Sequence, residues 1–196
     1  MARCCLTRTI PGAATATLGF FIGSGSRIET ESNNGISHFL EHMTFKGTNA
    51  LKPADIDRIT EDLGVRLDAY TQREMTAYFA RCPREHFDRV FSLMSEFLQD
   101  SEYRHSDINR ERQTILAECE EVAKVPFERI FDEALSRCYA GSGPAANINR
   151  FTQADLLAHA RQYYRGSNMV VAAVGDVDQA HLLDLAAKHI RRPQKR

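Results

Sequence analysis

The chain has 196 residues, with 25 Lys and Arg against 26 Asp and Glu and a formal net charge of −1. That length suits one domain, residues 1–196, with room for a substantial core. The even charge gives no general attraction to nucleic acid or a membrane surface, and no apolar run is long enough to span a bilayer.

The cysteines are Cys4, Cys5, Cys82, Cys119 and Cys138. The count is odd and there is no Cys-x-x-Cys, so neither a disulfide framework nor a thiolate zinc site is indicated, and a reducing compartment fits. The start, Met1-Ala2-Arg3-Cys4-Cys5, is too short and too interrupted by Arg8 and Pro11 for a secretory signal, and it does not read as a transit peptide. Residues 4–10 and 15–23 are expected as strands, the second ending in a Gly23–Gly25 turn. A helix is expected from Asn34–Gly35 to Gly47. Pro53 opens another, closed at Leu63–Gly64. Residues 65–71 and 75–82 alternate as two strands around a turn near Gln72-Arg73. Pro83 starts the helix Arg84–Gln99, with Phe87, Val90, Phe91, Met94 and Phe97 on its buried side.

Residues 106–124 read as a helix with Ser106 as N-cap and Asn109 where a capping box would place Glu or Gln. Ile108, Ile115, Leu116 and Cys119 mark its buried side. Glu111 and Glu118 are two turns apart and share a face. Glu120 and Glu121 read as solvated charges. Beyond the break at Pro126 come a helix over 127–139 and a loop over Gly141–Pro144. Then follow a helix over 152–164 capped by Thr152, a buried strand Met169–Val174 and a helix Asp178–Ile190. The basic tail, residues 191–196, is expected to fray. This order of elements predicts an α+β fold: helices packed on one mostly antiparallel sheet in two layers.

The chemistry concentrates in Gly35-Ile36-Ser37-His38-Phe39-Leu40-Glu41-His42-Met43. His38 and His42, four apart, lie on one helix face, about 6 Å apart along the axis. Both imidazoles can reach one ion. Glu41 projects from the same side as His38. Two His and a carboxylate leave a fourth zinc position for water, and a nearby carboxylate that is not a ligand can take its proton. His-x-x-Glu-His is the inverzincin signature. The pattern arises by chance in roughly 2% of sequences of this composition, so a third ligand is needed to support it. His86, His105, His159, His181 and His189 have no partner at ligand spacing and are expected at the surface.

These residues carry a resemblance. Gly23-Ser24-Gly25-Ser26-Arg27, the stretch Asn34–Thr48 around the histidines, Asp68-Ala69-Tyr70-Thr71-Gln72-Arg73-Glu74 and Arg110–Glu118 are similar to the N-terminal half of the pitrilysin family of zinc peptidases, closest to its processing-peptidase branch. The resemblance implies Zn²⁺ held by His38, His42 and Glu118, with Glu41 as the base that activates water. Glu111 matches the family's supporting carboxylate, which orients a ligand. Asp68, Ala69, Tyr70 and Thr71 match an edge strand to which extended substrate adds through main-chain bonds. Many relatives carry Asn where Asp68 stands.

The implied function is a zinc-dependent metalloendopeptidase acting on peptides or presequence-like unfolded segments. The alternative is a non-catalytic zinc- and peptide-binding or structural subunit that needs a homologous partner half. The family closes a chamber from two such halves, so the expected partners are a peptide or unfolded protein substrate and a homologous second half, or a second copy of this chain. Neither nucleic acid nor membrane is an expected partner. The family's fuller first strand suggests a trimmed N-terminus. The family's Leu-Gly-Arg-x-Ile-Leu-Gly-like segment is replaced by the shorter Ala140–Ala146. The expected compartment is the bacterial cytoplasm, with the mitochondrial matrix as the alternative.

Overall fold

The structure, a computed structural model, describes residues 4–127, 130 and 145–191. Five strands form one sheet: β1 Cys4–Thr9, β2 Thr15–Ile22, β3 Arg66–Thr71, β4 Thr76–Pro83 and β5 Met169–Gly175. Their spatial order is β1-β5-β2-β4-β3. Only β1 and β5 run parallel; the other three pairs are antiparallel. β3 is therefore an edge strand, next to β4.

Side chains alternate across each strand. Leu18, Phe20 and Ile22 of β2, Tyr78, Ala80 and Cys82 of β4, and Met169, Val171 and Ala173 of β5 are all buried on the same face. Seven helices occur among the described residues. They are α1 Ile36–Thr44, α2 Pro53–Asp62, α3 Phe87–Asp100, α4 His105–Ala123, α5 Ala145–Arg150, α6 Gln153–Tyr163 and α7 Gln179–His189. The α+β arrangement predicted from element order is the one observed.

α3 lays Phe87, Val90, Phe91, Met94 and Phe97 into the core, as its periodicity predicts. Phe91 meets Phe20 of the sheet with ring centroids 5.4 Å apart. Thr152 caps α6 in a capping box with Asp155, and Gly64 takes φ 59° just after α2. One expected cap is not used. α4 begins at His105, its N-cap is Arg104, and no side chain caps it. Ser106 therefore lies inside the helix. The incomplete box at Asn109 offers no reciprocal bond, which removes the reason for the chain to start the helix there. The expected helix over 127–139 and loop over 141–144 lie outside the described residues apart from Phe127 and Ile130, as do Cys138 and residues 192–196.

α1 is short, and its composition divides it. Ile36, Phe39, Leu40 and Met43 are buried at spacings of three and four, while His38, Glu41 and His42 leave the core face. Each fully buried Phe or Leu stabilises the packing by about 2–3 kcal/mol. Phe39 stacks edge-on against Phe151 at 6.0 Å. Burial of one face thus sets the direction in which the polar face points. α1 packs against α4, α6 and β3.

Candidate metal centre

Three side chains from α1 and α4 converge. His38 Nε2 and His42 Nε2 are 3.1 Å apart. Glu118 Oε2 lies 3.2 Å from His42 Nε2 and 3.7 Å from His38 Nε2. Ligand atoms of the three residues all lie within 4.8 Å of one another, a group that can hold a metal ion. The chemistry of the set, two imidazoles and one carboxylate, suits zinc. Among the described residues, no other group of three or more His, Cys, Asp or Glu does so. Cys119 is not part of it.

The electrostatics suit a metal as well. Burial, and then the neighbouring His42, push the His38 imidazole down to about 4. At neutral pH its ring therefore keeps a free lone pair, the form that ligates. His42 Nδ1 faces Glu111 Oε2 at 3.3 Å. Glu111 is 4% exposed, and its other oxygen pairs with Lys46 Nζ at 2.9 Å. A carboxylate on Nδ1 favours the tautomer that presents Nε2 to the ion. Two turns separate Glu111 from Glu118, so one face of α4 supplies both. Ile108 and Ile115 bury the helix's apolar side, and Arg112 anchors it by donating to the carbonyls of Ile148 (3.0 Å) and Phe151 (2.7 Å).

Glu41 is not in the triad. It points toward β3, where Thr71 Oγ1 donates to its Oε2 at 2.5 Å. Burial raises its pKa, and the Thr71 hydrogen bond opposes that rise. Of the other strand residues, Ala69 packs toward the core with Thr71 on the helix side. Asp68 and Tyr70 alternate to the opposite face: Asp68 accepts from the Ala69 N–H at 3.0 Å, and Tyr70 packs on Phe79. Neither is part of the triad, though the Asp68 charge also helps to raise Glu41, and their backbone lies at the sheet edge among the described residues. An open cleft of about 680 Å³ runs past these elements, lined by His38, Thr71, Gln72, Arg73, Ile115 and Cys119 among others.

Two groups beside the site follow from no spacing in the sequence. One is Glu29, buried against the start of α1. The other is His159, expected at the surface but 6% exposed. Its Nε2 lies 2.9 Å from Ser24 Oγ, which in turn lies 3.3 Å from Ser37 Oγ on α1. His159 sits on the inner side of α6 over its own cluster, and a single His in a mixed helix carries no sign of which side it takes. Gly25 brings the preceding loop close to the β3–β4 turn. A Cβ there would fall 2.1 Å from the Gln72 carbonyl oxygen.

The sequence profile of Insulinase (Peptidase family M16) matches residues 5–148. The chain belongs to peptidase family M16. A second M16 profile, Peptidase M16 inactive domain, matches residues 150–196. Among its M16 relatives, the chain is 40% identical over 187 residues to the mitochondrial-processing peptidase subunit beta of Blastocladiella emersonii, covering 92% of this chain and 40% of that one. It is 38% identical over 185 residues to the human subunit beta, covering 91% and 38%. The chain thus spans well under half the length of these curated relatives. A crystal structure of a protease from Helicobacter pylori has the same fold, with a TM-score of 0.89 at 22% identity, covering 98% of this chain and 49% of that one. No helix among the described residues of this M16 chain is long and apolar enough to cross a membrane.

Proposed function

We propose that this chain is the metal-binding half of a zinc metalloendopeptidase that cleaves peptides or unfolded, presequence-like segments. The observation that carries the reading is the convergence of His38, His42 and Glu118 within 4.8 Å, next to a half-buried carboxylate, Glu41, that is not one of the three. Residues 1–196 act as one domain in this reading, supported by β5, from the region of the second profile match, lying between β1 and β2.

Zinc, when bound, supplies Lewis acidity that acidifies water and polarises a peptide carbonyl. The chain's own residues do the rest. His38 and His42 donate Nε2 lone pairs, and Glu118 adds a negative charge. Glu111 accepts from the Nδ1–H of His42 and fixes that ring. Glu41 takes the proton of the attacking water and passes it to the leaving amine. Its raised pKa suits a group that must accept a proton and then release it near neutral pH. Thr71 holds one Glu41 oxygen. The backbone of Asp68–Thr71, at the sheet edge, is where an extended substrate would pair as an added strand.

The chain spans 40% and 38% of the length of these relatives, and the reading takes as partner a homologous second half: a further domain, another chain or a second copy of this one. That reading favours a reducing compartment, the bacterial cytoplasm or the mitochondrial matrix. The test is chelator-sensitive cleavage of a fluorogenic peptide by the completed assembly, with Glu41→Gln as the inactive control. Cleavage that persists after zinc removal, or in Glu41→Gln, would overturn it.

A further inference from the structure

His38 stands at the weakest place on its helix. α1 has nine residues, and His38 is the third, within the first turn. The first turn of any helix carries N–H groups with no partner in the helix, and it frays unless they are satisfied. The N-cap here is Gly35 at φ 95°, which has no side chain to satisfy them. The Gly35 carbonyl accepts from the Phe39 N–H at 3.0 Å and the Ile36 N–H finds the Asn33 carbonyl at 3.1 Å, but the cap position offers no side chain to the remaining N–H groups.

The bonds come instead from Glu29, upstream of the helix. Its Oε2 accepts from the Gly35 N–H and its Oε1 from the Ser37 N–H, each at 2.8 Å. Asn34 Nδ2 adds a longer contact to Oε2 at 3.4 Å. Glu29 is 7% exposed. A buried carboxylate is costly to hold without partners, but here it is solvated by helix N–H groups and stabilised by the positive end of the helix dipole. The intervening loop is itself tied down. Asn147 Nδ2 donates to the carbonyls of Glu31 (2.9 Å) and Asn34 (3.3 Å), and Arg150 donates to the carbonyl of Ser32. Glu29 also lines the cleft that His38 lines.

We infer that Glu29 is a positioning residue for the metal centre: it clamps the first turn of α1 and so sets where His38 meets His42 and Glu118. The inference rests on the zinc reading above. The position of Ser37 N is fixed by Glu29, and His38 is the next residue. Loss of the clamp releases one ligand of three while the buried face of α1, anchored by Phe39, Leu40 and Met43, keeps the helix on the core. The expected defect is therefore in metal affinity and ligand geometry rather than in folding.

The experiment uses the full 196-residue chain and compares wild type, Glu29→Gln, Glu29→Asp and Thr152→Ala. Thr152→Ala removes a helix cap on α6 and controls for stability loss alone. Zinc affinity is measured by competition with a chromophoric chelator, ligand geometry by the visible spectrum of the Co²⁺ form, and folding by circular dichroism and Tm. Glu29→Gln is expected to weaken zinc by about tenfold or more and to change the Co²⁺ band, with Glu29→Asp intermediate and Thr152→Ala unchanged. Should Glu29→Gln not fold, Glu29→Asp against Thr152→Ala decides alone. Unchanged zinc affinity in the Glu29 variants, or an equal loss in Thr152→Ala at equal Tm, overturns the inference. A wild-type chain that binds no zinc overturns the metal reading instead.

Discussion

Thr71, on the edge strand, donates its hydroxyl to Glu41 on α1 at 2.5 Å, and so joins the strand proposed to receive substrate to the proposed base. The bond can act in catalysis because a base is effective only when its oxygen is aimed. Thr71→Val keeps the shape and the β-branch but removes the donor. kcat in the completed assembly is expected to fall about tenfold, with KM little changed. Thr71→Ser should retain most of the rate. Equal losses in both variants would place the effect in packing.

Metal content separates the roles within the triad. The purified chain should hold about one Zn²⁺, and His42→Ala should retain none. Glu118→Gln should weaken binding. Glu41→Gln should keep the metal and lose peptide cleavage by orders of magnitude. Atomic absorption on the four proteins, with the peptide assay alongside, tests the assignment. Metal lost from Glu41→Gln and kept by Glu118→Gln would mean that the two carboxylates exchange roles.

Acid should weaken the fold through His159. Burial pushes its imidazole down to about 4 from an ordinary value of 6.5. The folded state thus disfavours the charged form that the unfolded chain accepts freely. The stability contribution is fully present above pH 6.5 and is lost as pH falls toward about 4, on the order of 3 kcal/mol in total. His38 titrates downward in the same window, so the comparison must isolate one ring. Urea unfolding of the metal-free wild type and of His159→Gln, at pH 7 and pH 4.5, does so. The variant should lose less stability on acidification; parallel losses would show that His159 contributes nothing to it.

Core packing behind the site predicts a large cost for one truncation. Phe39 is fully buried and stacks on Phe151. Phe39→Ala should destabilise the chain by about 3–5 kcal/mol, read by chemical denaturation. A loss below about 1 kcal/mol would mean that α1 is not held by that face.

The edge position of β3 among the described residues leads to a prediction about assembly. An unpaired edge invites another strand, and an open site positions substrate poorly. The isolated chain is expected to bind zinc, to cleave peptide weakly, and to gain specific activity with concentration or with an added homologous half. Light scattering with the fluorogenic assay across a dilution series measures both. A monomer with full, concentration-independent activity would remove the need for a partner.

Local patterning was enough for most of the described elements, though not for the short helix α5, and for two of the three candidate ligands. Alternation exposed β3 and β4, and the spacing of Phe87, Val90, Phe91, Met94 and Phe97 exposed the buried face of α3. The four-residue step between His38 and His42 required a shared helix face, because side-chain direction within a helix depends only on the step along it. The seven-residue step between Glu111 and Glu118 worked the same way, but it could say only that they share a face, not what that face meets. Family resemblance, not spacing, pointed to Glu118.

Packing between distant segments decided the rest. Docking of α1 against α4 brings Glu118 within 3.2 Å of His42, and sheet order puts β3 at the edge with Thr71 against Glu41. The burial of His159 and the clamp from Glu29 also depend on how loops and helices meet across the fold. Neither leaves a periodic trace, because each is a contact between elements whose relative position no local step along the chain encodes. The start of α4 at His105 rather than Ser106 follows similarly: with no side chain capping it, its boundary is left to the packing of Ile108 and Ile115.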